Sequence, residues 1–251
     1  TTRYFDGPVD PDQLNQVSFM NYSLGAPITS KSSFNFTMDN SSTNNLSPSY
    51  LSDLTSAVSV TDTNGYFALT GNKINSSEFN YNFSNNISFN LGYITDADAS
   101  LNESSNLLFN NLNLAYKKTD MTFSFGSLIE SNAMLETVGN EALDFQDNVN
   151  TKLYGVSMKH QFSKKISLIA GYNFGKTDVR ADSSSIFQDF TNVESEEKTL
   201  GIIHNNKGTK IGLLYKEPMR VTSGEVFIQV PTKKHSNGSY SFNNGWVSLS
   251  P

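Results

Sequence analysis

Between residues 150 and 174 the chain writes an apolar face twice in strict period two: Tyr154, Val156, Met158 and Phe162, then Ile166, Leu168, Ala170, Tyr172 and Phe174. Side chains alternate across a strand, so this spacing predicts an amphipathic β-hairpin turning at 163–165. The opposite face reads Gly155, Ser157, Lys159, Gln161, Ser167, Gly171, Asn173 and Gly175. Those side chains are small and polar with only one charge among them, a pattern that suits an enclosed face better than a solvated one. A ribbon of this kind must bury its apolar face, and either a protein core or lipid can cover it.

The same alternation recurs at Phe34, Phe36, Met38; Phe67, Leu69; Phe79, Tyr81, Phe83; Ile87, Phe89, Leu91, Tyr93; Leu112, Leu114, Tyr116; Met121, Phe123, Phe125; Leu200, Ile202; and Ile211, Leu213, Tyr215. No long helical period interrupts it. Aromatic residues fill much of the face, 18 Phe and 11 Tyr against one Trp, as pleated packing favours. The spacing predicts an all-β, antiparallel up-and-down meander of about 12 to 14 strands. Residues 1–251 read as a single β-domain, with 1–50 the least regular part, a linker or N-terminal strands.

Connections alternate in length. Short turns are expected at 62–65, 84–86, 117–120, 163–165 and 205–208, and longer excursions at 71–77, 95–105, 127–150 and 176–196. Asn64-Gly65 and Lys207-Gly208 supply residues that accept positive φ. The alternation collects all tight turns at one end of the meander and all long loops at the other, an asymmetry of outer-membrane barrels.

Charged residues are only 17% of the chain, with Asn, Ser and Thr filling the balance, a composition that leans towards an extracytoplasmic β protein. Zero cysteines exclude a disulfide framework and thiol chemistry. A net charge of -6, with Lys and Arg dispersed along the sequence, argues against nucleic acid. No apolar run is long enough for a transmembrane helix, and the start Thr1-Thr2-Arg3 lacks a signal-peptide core, so a processed or excised segment is expected. A membrane barrel needs neither, because its strands are about 9 to 11 residues and half polar.

Reactive chemistry finds little footing. His160, His204 and His235 are far apart and form no short metal-ligand spacing. Glu194, Glu196 and Glu197, with Asp182 and Asp189, are expected in a polar loop over 182–197, where a solvated loop is the default and calcium the alternative. Glu130 and Glu136 form an acidic pair in an expected loop without a partner. No nucleophile motif and no dinucleotide glycine motif occurs. No catalytic, cofactor-binding or metal residue is therefore assigned, and no cofactor is expected.

From Phe125 onward a series of ordered motifs is similar to one known family. Phe125-Gly126-Ser127-Leu128-Ile129-Glu130 precedes Ala133-Met134-Leu135, with Glu136 and Thr137 where the family carries Gly-Ser. Ile169-Ala170-Gly171-Tyr172-Asn173-Phe174-Gly175-Lys176-Thr177 follows. The most specific stretch runs from Thr199-Leu200-Gly201-Ile202 through Lys210-Ile211-Gly212-Leu213-Leu214 to Lys216-Glu217-Pro218-Met219-Arg220-Val221-Thr222-Ser223-Gly224-Glu225-Val226. Phe227-Ile228-Gln229-Val230-Pro231 and Val247-Ser248-Leu249-Ser250-Pro251 complete it. Together these resemble the C-terminal β-domain of subtilisin-like serine proteases of the proteobacterial autotransporter type. The resemblance implies a protease passenger N-terminal to this segment, a role as membrane anchor or translocator, and further strands beyond Pro251. None of the family's catalytic residues falls in the matched region.

Three readings follow. An outer-membrane β-barrel domain would turn the apolar residues to lipid and export or anchor its passenger from the bacterial surface. A non-enzymatic extracellular sheet, adhesin or filament protein would pack the same faces into a sandwich and self-associate through an open sheet edge. A carbohydrate-active enzyme has no specific residue in its support.

Overall fold

The computed structural model describes residues 22–40, 74–96, 104–135, 137–138, 145, 148–181, 185–206 and 209–250. Within them the chain is all β, and every ladder is antiparallel. Strands β1 (Tyr22–Thr29), β2 (Ser32–Asn40), β3 (Ile74–Ser84), β4 (Ile87–Asp96), β5 (Ser105–Tyr116) and β6 (Thr119–Glu130) follow one another as a meander. After the short β7 (Ala133–Met134) and β8 (Thr137–Val138), the meander resumes with β9 (Val149–Gln161) and β10 (Ile166–Asp178). It passes β11 (Phe187–Phe190) and ends with β12 (Val193–Asn206) and β13 (Thr209–Ser223). Then come β14 (Glu225–Lys234) and β15 (Tyr240–Ser248).

The main sheet has ten strands in the order β1-β2-β3-β4-β5-β6-β9-β10-β12-β13, against the 12 to 14 expected for the meander. The remaining strands form the three-stranded sheet β11-β14-β15 and the two-stranded β7-β8. No ladder among the described residues joins β1 to β13, so these are the two edges of the described sheet. The alternation at Phe67 and Leu69 and the turn at 62–65 lie outside the described residues.

Register carries the apolar pattern across the sheet without a break. Ile87 pairs with Leu114, Leu114 with Met121, Met121 with Met158, Met158 with Ala170, Ala170 with Leu200 and Leu200 with Tyr215. One residue along, the neighbouring row runs Ser88, Asn113, Thr122, Ser157, Gly171, Thr199 and Lys216. These two rows thus keep to opposite faces from β4 to β13, because strand side chains repeat with period two and the ladders keep phase along them.

The polar face is the concave one. Met219 on β13 packs against a buried cluster of Ile94, Leu107, Phe109, Leu128 and Leu153, drawn from β4, β5, β6 and β9. In a flat sheet even Leu153 would lie three inter-strand spacings from β13, roughly 14 Å away. Contact therefore requires the sheet to curl around this face. The curl buries Ser157, Thr151, Thr177 and Ser195 and leaves the apolar rows outside, with Leu213 74% and Ile211 65% exposed.

Several expected loops are strand. Residues 74–77 belong to β3, 127–130 to β6, 176–178 to β10 and 193–196 to β12. Their side chains are mostly polar, so hydropathy marks them as connections while the ladder hydrogen bonds continue through them. The short turns at 84–86, 117–120 and 163–165 fall where expected.

β13 passes into β14 through Gly224 alone, at φ +132°, a conformation that L side chains avoid. The β12–β13 ribbon is thereby prolonged as β11 paired with β14, and β15 is added alongside. A second buried cluster, Phe145, Val149, Val179 and Val193, joins this small sheet to the main one through Phe187, Phe190 and Leu249.

Close approach of backbone and ring fixes one further glycine. Gly92 faces Phe109 across β4 and β5, and a Cβ there would meet Phe109 Cζ at 2.1 Å. Gly92→Leu is expected to displace the ring and cost about 1–3 kcal/mol. Gly245→Ala, with nothing within 4 Å, is the control and is expected to be neutral. Denaturant midpoints of the two folded variants measure the difference.

Candidate functional site

The concave face divides into two halves along the strands. Towards the long connections it is filled by the Ile94, Leu107, Phe109, Leu128 and Leu153 cluster. Towards the tight turns it is polar, and a cavity of about 400 Å³ opens over β3 to β6. Asn80, Asn82, Asn90, Asn111 and Asn113 line it, together with Glu78, Asp120, Thr122 and Phe109. Alternation puts these amides on one face at successive strands, which the register alone determines.

The amides hold one another. Asn90 Nδ2 donates to Asn80 Oδ1 at 2.6 Å, Thr122 Oγ1 donates to Asn113 Oδ1 at 2.8 Å, and Asn113 Nδ2 donates to Ser88 Oγ at 3.3 Å. Asn90 Oδ1 is buried, and no donor among the described residues reaches it. An amide lining both donates and accepts, so it suits water or a polar chain rather than an apolar ligand. None of the histidines lines the cavity, and no nucleophile there has a histidine base.

Further round the curl, Glu197 is buried on the concave face of β12. Its Oε1 accepts a hydrogen bond from Asn173 Nδ2 at 2.8 Å, and its Oε2 lies 3.5 Å from Lys216 Nζ. Thr151 and Thr177 hydroxyls meet at 2.9 Å, both fully buried. Glu130, also fully buried, ends β6 rather than sitting in a loop, and its Oε2 accepts the Leu135 N–H at 2.9 Å. Its expected companion Glu136 lies outside the described residues.

Strand structure also separates the expected acidic loop. Glu194, Glu196 and Glu197 belong to β12, and alternation sends Glu197 inward while Glu194 and Glu196 point outward. Asp189 lies in β11, and Asp182 is outside the described residues. The three β12 carboxylates cannot wrap a calcium ion from opposite faces of one strand. Among the described residues no group of three or more His, Cys, Asp or Glu side chains could hold a metal. His160 sits on β9 with Nδ1 2.8 Å from Thr119 Oγ1, His204 on β12, and His235 at the β14–β15 turn with Nε2 2.6 Å from Ser241 Oγ.

The convex face is layered. Near the tight turns stand Phe83, Tyr116 and Phe162; nearer the long connections stand Tyr93, Phe125, Tyr154 and Phe174. Phe125, Tyr154 and Phe174 form a cross-strand row with ring centroids 6.2 and 6.3 Å apart. Between the two bands lie mostly aliphatic and aromatic side chains, among them Leu91, Phe123, Val156, Leu168, Tyr172, Leu200, Ile202 and Tyr215, with Lys198 opposite Tyr172.

Sequence reasoning misses the inward apolar plug. Its Ile94, Leu107, Phe109, Leu128 and Leu153, and Ile169 nearer the tight turns, are out of phase with the apolar face read for their strands. Their signal is the adjacent apolar run, as in Leu107-Leu108-Phe109 or Leu168-Ile169-Ala170, which marks stretches that are apolar on both faces.

Comparison with protein-family models, with curated proteins and with solved structures finds no match.

Burial of the concave hydroxyls sets a measurable cost. Thr151→Val leaves Thr177 Oγ1 without its partner and is expected to cost about 1–3 kcal/mol, as is Thr177→Val. The double variant is expected to be less destabilised than the sum of the singles, read as a coupling energy in a double-mutant cycle.

Proposed function

We propose that this chain is an outer-membrane β-barrel domain that anchors or translocates an N-terminal passenger. The observation that carries the proposal is the inside-out distribution of polarity: the concave face buries Ser, Thr and Glu side chains beside its apolar plug, while the convex face carries rows of exposed apolar side chains, interrupted on β12 and β13 by Glu196, Lys198 and Glu217. Ten strands at about 4.8 Å, with an apolar band roughly 25 Å tall, give on the order of 1,200 Å² of apolar face. The largest apolar patch on a typical soluble monomer is about 300–600 Å².

Lipid supplies the missing cover. The outward run from Ile166 to Phe174 has the length of a membrane-crossing strand, about 9 to 11 residues. The aromatic bands at the two ends of the convex face are consistent with the girdles such barrels set at the two membrane surfaces. Tight turns at one end and long connections at the other add the same asymmetry. The motif resemblance from Phe125 onward supplies the passenger, a subtilisin-like protease, and the role of this part is export or anchoring rather than chemistry.

The edges of the described sheet, β1 and β13, favour a second reading, in which copies of the chain assemble by strand addition as an extracellular sheet. Membrane partition separates the two. The barrel reading expects recovery in the outer membrane and a faster-running unheated band on SDS gels. Recovery in the soluble or shed fraction with no heat shift overturns it.

A pair of neighbours on β6 tests the orientation. Phe123→Arg puts a charge on the outward face and is expected to cost about 2–4 kcal/mol, depleting the heat-modifiable band. Ser124→Arg, directed inward, is expected to keep that band. Equal effects of the two would overturn the assignment of the convex face to lipid.

A further inference from the structure

We infer that the tight-turn mouth of the curled sheet binds phosphate-type anions. The β5–β6 turn contributes Lys117 and Lys118, the β9–β10 turn contributes Lys164 and Lys165, and the concave face of β9 contributes Lys159. They line a cavity of about 270 Å³ with a single carboxylate, Asp120, which faces Lys159 across the β6–β9 ladder. Gln161, Ser167 and Asn205 complete a hydrogen-bonding wall.

The local sign runs against the chain as a whole, which carries -6. Among the described residues Lys118, Lys164 and Lys165 form no ion pair. Ammonium groups gathered around one small cavity repel one another, and an anion between them removes that repulsion. Each ammonium is a compact charge with three rotatable donors, which suits the tetrahedral oxygens of a phosphate.

Backbone geometry points the same way. Lys117 holds φ +54°, where Gly or Asn would relieve the conformational cost, and its ammonium lies 5.1 Å from the Tyr116 ring centroid. The other turn is stiffened by Ser163, whose Oγ accepts the N–H of Lys165 at 3.2 Å and of Ile166 at 3.1 Å. Both pairs of lysines therefore leave from set positions at the rim of one cavity.

The phosphate can come from a lipid headgroup at the rim or from a free phosphate compound on the concave side. Lysine acetylation footprinting of the full chain, read by mass spectrometry, separates these sources. One arm uses pyrophosphate with the protein in a neutral maltoside detergent. The other uses vesicles of phosphatidylglycerol, with vesicles of a phosphate-free galactolipid as the matched control. Lys152 and Lys176, paired across β9 and β10 at the far end of those strands, are the internal references.

At ten times its Kd, pyrophosphate is expected to slow acetylation of Lys118 and Lys165 about tenfold and to leave the references unchanged. Protection in the phosphatidylglycerol arm alone assigns the site to headgroups. Lys118→Gln with Lys165→Gln is expected to abolish protection of Lys159 and Lys164 while the β-sheet circular dichroism persists. No protection in either arm, equal slowing at Lys152 and Lys176, or undiminished protection in the double variant would overturn the inference. Only the vesicle arm rests on the membrane reading, so failure of partition and failure of anion binding remain distinguishable.

Discussion

Everything in this structure depends on register. Because a strand repeats its side-chain direction every second residue, a slip of one position in any ladder would exchange the two faces of that strand. The ladders from β4 to β13 keep phase through Ile87, Leu114, Met121, Met158, Ala170, Leu200 and Tyr215, so an apolar row crosses seven strands unbroken. Irregularities fall elsewhere, at the ends of β1, β2 and β3 and where β12 meets β13 between Glu194 and Lys198. There the partner strand gains residues, and Met219 and Val221 arrive on the concave face in time to meet the two buried clusters.

Curvature follows from what the concave face contains. Gly92, Gly126, Gly171, Gly175 and Gly201 are spread over β4, β6, β10 and β12, and small side chains let the inner face narrow while the convex face carries the bulk. At Gly92 the absent side chain is replaced by the Phe109 ring from the next strand. Polar residues can be buried in such a face because they meet each other, as Thr151 meets Thr177 and Asn173 meets Glu197. The inward apolar plug closes the end nearer the long connections, so the amide cavity and the lysine mouth are left together at the tight-turn end.

Period-two alternation made the all-β antiparallel meander legible, along with the tight turns at 84–86, 117–120 and 163–165, but not the β1–β2 turn at 30–31. It did not make the strand ends legible, since β6 finishes and β12 begins in residues such as Ser127, Glu130, Glu194 and Ser195, whose polarity resembles a connection although their backbones stay paired. Nor did it show the convergence of lysines. Lys117 and Lys165 are separated by two strands and an excursion in sequence, and they read as dispersed charges until β6 and β9 become neighbours. The acidic residues behaved in the opposite way: contiguous in sequence at Glu194, Glu196 and Glu197, they were divided between two faces by the strand that holds them.

The choice of solvent for the convex face can be weighed in energy. At about 25 cal/mol per Å², on the order of 1,200 Å² of apolar face corresponds to roughly 30 kcal/mol between exposure to water and cover. That exceeds the net stability of an ordinary domain, about 5–15 kcal/mol, so in water any arrangement that hid this face would displace the curled sheet. A sandwich would hide it by reversing the curl, which would bring Glu78, Glu197 and the amides of β3 to β5 out to solvent and undo their mutual hydrogen bonds. On the proposed membrane reading, lipid would cover the face without that reversal and leave the polar interior intact. On that reading the edges of the described sheet are the remaining demand, because backbone groups at membrane depth would require partners, and β1 and β13 are the strands on which closure or strand addition would act.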